Sequence, residues 1–300
     1  MGEASRQFPV VMNARVEAAL RAIVTHRSVG IAQAFARARR YAPMMRRIFE
    51  EKGLPPELVN LAFVESGVNP RATSRARAAG IWQFVPSTAR SYGMRRTKLI
   101  DERRDPEKST RAAAEYLQHL YARFDSWPLA LAAYNAGEGT IERAIARQRT
   151  TDFWRLRLRK ETERFVPNFM AMTLVSRDPR RYGFSPPPEE PHETDLLYVS
   201  QPTEIQHLAE AAGTSVQHLR ELNPELIGTA TPADEAHYTL KIPRRFTWVA
   251  HKTQRGETIS GIAKRYRVSP HLLREANKLG DGEEPKAGTV LLIPVERPPA

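Results

Sequence analysis

Apolar residues fall in two different rhythms along this chain. As far as about residue 178 they recur at the three-and-four spacing of amphipathic helices. Residues 9–27 and 30–52 predict two such helices, the first with Val16, Ala19, Leu20 and Ile23 on one face. Gly53-Leu54-Pro55-Pro56 ends the second and opens a third, with proline in its first turn. Pro86 opens a short helix to about Tyr92, and Asp105-Pro106 caps a long one with Ala113, Tyr116, Leu117, Leu120, Tyr121 and Phe124 as its core stripe. Further helices are predicted from Trp127 to Asn135 and over 138–147, 152–158 and 161–176. Helices joined by short loops make an all-α domain over 1–183, with a helical N-terminal extension over 1–52 and a core over 53–183.

Phe184 to Asp195, reading FSPPPEEPHETD, has no periodicity and predicts a semi-rigid, exposed linker over 184–195. Beyond it the pattern becomes short strand, two helices, short strand, and it occurs twice. Ile205, Ser215, Leu219 and Asn223 align at a shift of 54 with Ile259, Ser269, Leu273 and Asn277. Each copy closes on L-x-I-P, at 240–243 and 291–294. Two small βααβ modules, over 196–245 and 246–295, are therefore expected behind the helical domain, and the fold class is mainly α. Neither copy carries a convergent acid/base cluster, which favours a binding role for both.

One residue interrupts the helical pattern. Leu58, Leu61 and Ala62 mark a core-facing stripe, and the next position on that face is Glu65. Burial penalises an ionised carboxyl, so its pKa should rise, which suits a group that holds a proton at neutral pH and then gives it away. Ser66-Gly67 stops the helix and Asn69-Pro70 prevents its resumption. The bland alternative is a core glutamate tied to an arginine.

Composition narrows the chemistry. With no cysteine among 300 residues, disulfides, thiolate metal sites, a cysteine nucleophile and a lipidated cysteine are excluded. The eight histidines show no HExxH spacing, and no phosphate-binding glycine loop or G-x-S-x-G elbow occurs. Neither a metal nor a cofactor is expected. Carboxylates remain, with Asn69, Gln83 and Asn135 as polar groups for a sugar and Trp82 and Tyr134 as stacking faces. No second catalytic carboxylate is obvious near Glu65.

The net charge of +12 divides unevenly: 33 basic against 18 acidic residues over 1–183, then 13 against 16 over 184–300. The arginines are scattered over several helices, so a solvated basic surface is favoured over nucleic-acid binding. No run approaches the ~20 apolar residues of a membrane span. The N-terminus, MGEASRQFPVV, has no basic-then-apolar signal, so export is absent or a signal has been removed.

The order and spacing of E-S-G-x-N-P at 65–70, Ser74, G-I-W-Q-F-V-P at 80–86 and L-A-A-Y-N-A-G at 131–137 resemble the lysozyme-like lytic transglycosylases. With its repeats the chain is similar to the membrane-bound lytic murein transglycosylase D group, and the repeats resemble LysM domains. The second repeat carries the G-[DE]-T turn as Gly256-Glu257-Thr258, and the first lacks it.

The resemblance implies a lysozyme-like catalytic fold and makes Glu65 the single catalytic acid and base. Substrate contacts are implied for Ser66, Ser74, Gln83, Tyr134, Asn135 and Glu161, with Tyr134 hydrogen-bonded to the catalytic carboxyl. It implies glycan contacts for Gly256, Glu257, Thr258, Lys278 and Leu279. The chain departs from the family pattern where Arg77 stands at a usual glycine, Val85 at a common methionine, and Lys160 and Phe165 flank Glu161. The implied activity is cleavage of the MurNAc–GlcNAc bond with a 1,6-anhydro product. A hydrolytic muramidase and a non-catalytic wall-binding scaffold stay open as alternatives. The implied partner is peptidoglycan, met by a monomer in the periplasm or envelope. Peripheral membrane association would follow if a removed N-terminus carried an anchor.

Overall fold

A computed structural model describes residues 8–26, 28–191, 193–199, 201–233, 238–244, 246–280 and 282–296. The segment MGEASRQ, read above for an export signal, lies outside the described residues. The chain divides into two compact units, one of Met1–His192 with Asn223–Pro232, the other of Glu193–Leu222 with Ala233–Ala300.

The first unit is helical: α1 (Ala14–His26), α2 (Ser28–Glu51), α3 (Asn60–Ser66), α4 (Pro86–Ser91), α5 (Pro106–Phe124), α6 (Trp127–Ala136), α7 (Glu138–Gln148) and α8 (Lys160–Arg177). Proline opens α4, α5 and α6, where its missing N–H costs nothing. Asp105 caps α5, its Oδ1 accepting from the N–H groups of Glu107 and Lys108 at 2.8 Å each.

One continuous core runs from Phe8 to Phe184. Phe8 packs edge-on against Phe169 of α8 and also meets Trp127, and α1 lies on α8, so the N-terminal extension is part of the core of the helical unit. The 184–195 segment, expected as a linker, is tied down over its first part. Phe184 packs on Phe35, Glu189 pairs with Arg46, and Glu190 pairs with Arg39 and donates its N–H to the Arg39 carbonyl.

The helix expected over 152–158 is a single turn. Asp152 closes it by accepting from the N–H groups of Arg155 and Leu156. The Gln148 amide then takes both backbone groups of Arg157, which holds that residue out of a helix.

Both repeats form as expected: β1 (Thr194–Val199), α9 (Ile205–Ala211), α10 (Val216–Leu222) and β2 (Tyr238–Pro243), then β3 (Phe246–Lys252), α11 (Ile259–Tyr266), α12 (Pro270–Ala276) and β4 (Val290–Glu296). Each pairs its two strands antiparallel, Leu197 opposite Leu240 and Val249 opposite Ile293. The repeat extends to hydrogen bonds, since Ser215 Oγ accepts from His218 N and Ser269 Oγ from Leu272 N. Residues 223–232 of the first copy are packed into the helical unit instead. Asp101 N donates to Glu225 O, and the N–H groups of Ile227 and Gly228 donate to Leu99 O.

The loop between α3 and α4 decides the shape of the functional face. Its centre is Ala79, bridged to Thr73 on one side and Phe84 on the other. Beneath it lies Arg103, which the sequence presents as part of a charged run, Asp-Glu-Arg-Arg. The guanidinium is 3% exposed and forms a two-pronged pair with Asp101 at 2.7 and 2.8 Å. Its Nη1 donates to the carbonyls of Arg77 and Phe84. Gly80 lies so close that a Cβ would come within 1.8 Å of the Arg103 carbonyl oxygen.

Arg77 has φ +61°, which accounts for the glycine usual in the resembling family. Its side chain is exposed, so Arg77→Gly should remove left-handed strain and raise stability by up to ~1 kcal/mol, after the entropy cost of glycine. Thermal unfolding of the full chain measures this, and an unchanged or lower midpoint would contradict it.

Candidate active site

Glu65 occupies the last turn of α3. Gly67 ends that helix in the left-handed conformation, its N–H returning to Phe63 O and that of Val68 to Ala62 O. The carboxyl opens into a cleft of about 880 Å³. The cleft is walled by α3, the 74–85 loop, Tyr116 of α5, the end of α6 and the first two turns of α8.

No hydrogen-bond donor reaches the Glu65 carboxyl among the described residues. Burial without a donor pushes its pKa up, and the negative charge of Glu161 adds to this, raising it to about 8. Tyr134 rises well above the usual phenol value, through burial first and then the neighbouring Glu65.

The structure brings five of the six expected substrate contacts to the cleft wall and gives each a local duty. Ser74 Oγ accepts from Ala78 N, and Gln83, at φ +50°, donates through Nε2 to Gly80 O. Asn135 Nδ2 donates to Glu161 Oε1 at 3.3 Å while its Oδ1 accepts from Thr162. Tyr134 lines the cleft, but its hydroxyl proton goes to the Trp82 carbonyl at 2.8 Å rather than to the Glu65 carboxyl.

Ser66 does not line the cleft. Its Oγ donates to Ile81 O at 2.8 Å and accepts from Asn69 N, so it fastens the helix end to the loop. Asn69 is likewise a turn residue, its Oδ1 accepting from Arg71 N. Trp82, read as a stacking face, is fully buried, with Nε1 donating to Thr110 and its ring against Phe49.

Several residues of the cleft were not singled out from sequence, Tyr116, Arg164 and Asn168 among them. Tyr116, expected in the core, lines it and continues a row of rings, 5.2 Å from Tyr134 and 5.3 Å from Tyr92. Burial, then the charge of Glu138, raises the Tyr116 hydroxyl to about 12. The available signal was a hydroxyl on an apolar stripe, a signal that Tyr121 carries as well. Arg164 and Asn168 stand three and seven positions beyond Glu161 on α8, the helical spacing that keeps them on its face.

In the second repeat, Glu257 is committed to the module itself. Its carboxylate accepts from Gln254 N and meets His251 Nε2 and Arg265 at 2.7–2.8 Å, and these partners, the Gln254 N–H foremost, hold its pKa below the usual carboxylate range. Thr258 Oγ1 caps α11 by accepting from Gly261 N, and Leu279 packs on the module core. Gly256 and Lys278 are exposed.

Residues 45–156 match the transglycosylase SLT domain family. Residues 193–253 match the LysM-like domain described for the lytic transglycosylase MltD, and residues 251–294 match the LysM domain. Over 277 residues the chain is 37% identical to membrane-bound lytic murein transglycosylase D of Escherichia coli K12, covering 81% of this chain and 61% of the relative. The chain thus spans about three fifths of that protein's length. It is also 34% identical over 113 residues to membrane-bound lytic murein transglycosylase F of Alcanivorax borkumensis, 35% of this chain and 23% of that one. Among solved structures it is similar to the 70 kDa soluble lytic transglycosylase of Escherichia coli, at 25% identity and TM-score 0.41, over 49% of this chain and 25% of that one.

The raised pKa of Glu65 has a consequence for stability. Below the ordinary value of 4.5 folded and unfolded chains both hold the proton. Between 4.5 and about 8 the unfolded chain releases it while the fold retains it, so stability falls with rising pH and levels off above about 8. Glu65→Gln should match the wild type near pH 4 and exceed it near pH 8 by ~1–3 kcal/mol. Denaturant unfolding at the two pH values checks this, and a constant difference would refute it.

Proposed function

We propose that this chain, which carries a transglycosylase SLT domain and LysM-type modules, is a peptidoglycan lytic transglycosylase. The observation that carries this reading is Glu65, a carboxyl without hydrogen-bond donors at the wall of an open cleft and still protonated at neutral pH. Such a group is poised as a general acid. It gives its proton to the oxygen between N-acetylmuramic acid and N-acetylglucosamine as the C1–O bond breaks. The substrate's own N-acetyl group stabilises the cationic C1. The ionised Glu65 then takes the proton of the C6 hydroxyl as that oxygen bonds to C1, closing the 1,6-anhydro ring and restoring the acid. No water is consumed.

The polar groups at the wall, Ser74, Gln83 and Asn135, suit the amide and hydroxyl groups of a glycan, and Tyr116 and Tyr134 offer apolar ring surface. The LysM-type modules tether the enzyme to its polymer and raise the local substrate concentration. Gly256, Thr258 and Lys278 are the exposed candidates for glycan there. The substrate places the protein in the cell envelope, acting as a monomer on glycan strands.

A second reading follows from Glu161. A second carboxylate sharing the cleft is what an ordinary glycosidase uses to engage water or the anomeric carbon. Mass spectrometry of digested sacculi separates the two readings, since an anhydro product is lighter than a hydrolytic one by one water. Anhydro-muropeptides from the wild type and none from Glu65→Gln are expected. A product carrying the extra water would make the chain a muramidase, and binding without release would make it a scaffold.

The pH profile follows from the electrostatics of the cleft. Activity should fail as Glu65 loses its proton, with an alkaline limb centred near pH 8. Glu161→Gln removes a like charge, so it should move that limb to lower pH. A limb that stays in place would separate the two carboxylates.

A further inference from the structure

The catalytic helix is fastened at its C-terminal end by a residue from the N-terminal extension. Arg37 lies on α2, outside the residues matched by the SLT family. Its Nε donates to the Gly67 carbonyl at 2.7 Å, two residues beyond Glu65. The guanidinium is half-buried and forms no ion pair with a carboxylate among the described residues. It thus gives up solvation without the partner that ordinarily offsets that cost. A long cation spent on one backbone carbonyl calls for a reason.

The geometry supplies one. Gly67 has φ +62°, and its carbonyl belongs to the turn through which the chain leaves α3. A Cβ at Gly67 would stand 2.9 Å from an Arg37 terminal nitrogen and 3.6 Å from Ala34 Cβ, so α2 is packed directly against that turn. Phe35 meets Phe63 edge-on one helical turn before Gly67, and this holds α2 and α3 together. On the opposite side Ser66 binds Ile81 O. The last turn of α3, with Glu65 on it, is therefore clamped between α2 and the cleft loop.

We propose that Arg37 is a positioning residue for Glu65. By holding the Gly67 carbonyl it keeps the last turn of α3 closed and fixes how deeply the Glu65 carboxyl is set into the cleft wall. The helical N-terminal extension is then part of the catalytic apparatus, because the clamp on the acid comes from a helix that precedes the SLT-matched region. The positioning role in catalysis rests on the reading of Glu65 as the catalytic acid. The structural part of the inference does not.

The test uses the full chain with Arg37→Met, which keeps most of the apolar stem, and Arg37→Lys, which keeps a cation within reach of the carbonyl. The Glu65 carboxyl is titrated by carbon NMR in protein labelled at glutamate side chains, with Glu65→Gln assigning the signal. The other ionisable groups facing Glu65, Glu161 from α8 and Tyr134 from α6, are unchanged in both variants.

In Arg37→Met the Glu65 midpoint should fall by ~1 unit or more as the loosened turn lets the carboxyl move out from the cleft wall into solvent. The kcat should drop ~10–100-fold with KM within about twofold. Arg37→Lys should recover most of both, and thermal unfolding should show each variant folded at the assay temperature. An unchanged Glu65 midpoint in folded Arg37→Met overturns the inference, as does a loss of activity matched by the unfolded fraction. A shifted midpoint in a chain that releases no muropeptides would sink the proposed activity and leave the clamp standing.

Discussion

Everything at the functional face depends on holding one carboxyl poorly solvated at a cleft wall without giving it a hydrogen-bond donor. Burial beside a paired arginine would be less costly, yet among the described residues no cation forms an ion pair with Glu65, although Arg164 lines the same cleft. Arg37 is spent on the Gly67 carbonyl and Arg103 on Asp101 and two loop carbonyls. The charge closest to Glu65 in effect is Glu161, of the same sign. Desolvation and like-charge repulsion therefore act together, and the packing of the helical unit must hold the carboxyl in a position that its ionised form resists.

The clamp that makes this tolerable is distributed. Beneath the cleft, Arg103 and Asp101 form a buried pair whose remaining donor capacity goes to the loop backbone. Glu102 beside them is 3% exposed; burial alone would raise its pKa, but hydrogen bonds from Arg95 and Lys108 hold it below the usual carboxylate range. Residues 71–77 of the loop bury no side chain, so that stretch is held by charge-assisted hydrogen bonds from Arg103 and Arg104 to the Arg77 and Arg71 carbonyls. Gly80 permits the close approach that these bonds require. Tyr134 and Trp82 add a tie from α6 to the same loop, which explains why the Tyr134 hydroxyl points away from the carboxyl it was expected to meet.

The repeats show how one module can serve two purposes. The second repeat uses its polar residues to hold itself together. Asn277 takes both backbone groups of Leu292, and Glu257 binds the turn ahead of α11. The first repeat keeps the helices and strands but yields its 223–232 segment to the helical unit through Leu226 and Gly228. A Cβ at Gly228 would stand 2.5 Å from Leu99 Cδ2, so the segment sits close against its neighbour. Division into modules by sequence repeat and division by packing therefore differ at this segment.

Local chemistry made much of this legible in advance. Helical periodicity, proline at helix starts and the Asp105 cap are short-range signals, so the helices emerged close to where they were expected. Glu65 was conspicuous for the same reason, as the one ionisable group on an apolar stripe. What sequence could not rank was competition for partners. Ser66, Asn69 and Trp82 are as polar or as aromatic as the residues that reach the cleft, and only tertiary packing assigned them to turns and core. Tyr116 moved the other way, because periodicity places a residue on a face without saying whether that face ends at a neighbour or at an opening. The burial of Asp101, Glu102 and Arg103 was not read from sequence, because it depends on Arg95, Lys108 and the loop carbonyls of Arg77 and Phe84 closing around them. Sequence by itself determined the helical domain, the repeated modules and the position of Glu65 on an apolar stripe. Tertiary structure decided the acid's protonation, since a pKa of about 8 depends on desolvation and on Glu161, some ninety-six positions away.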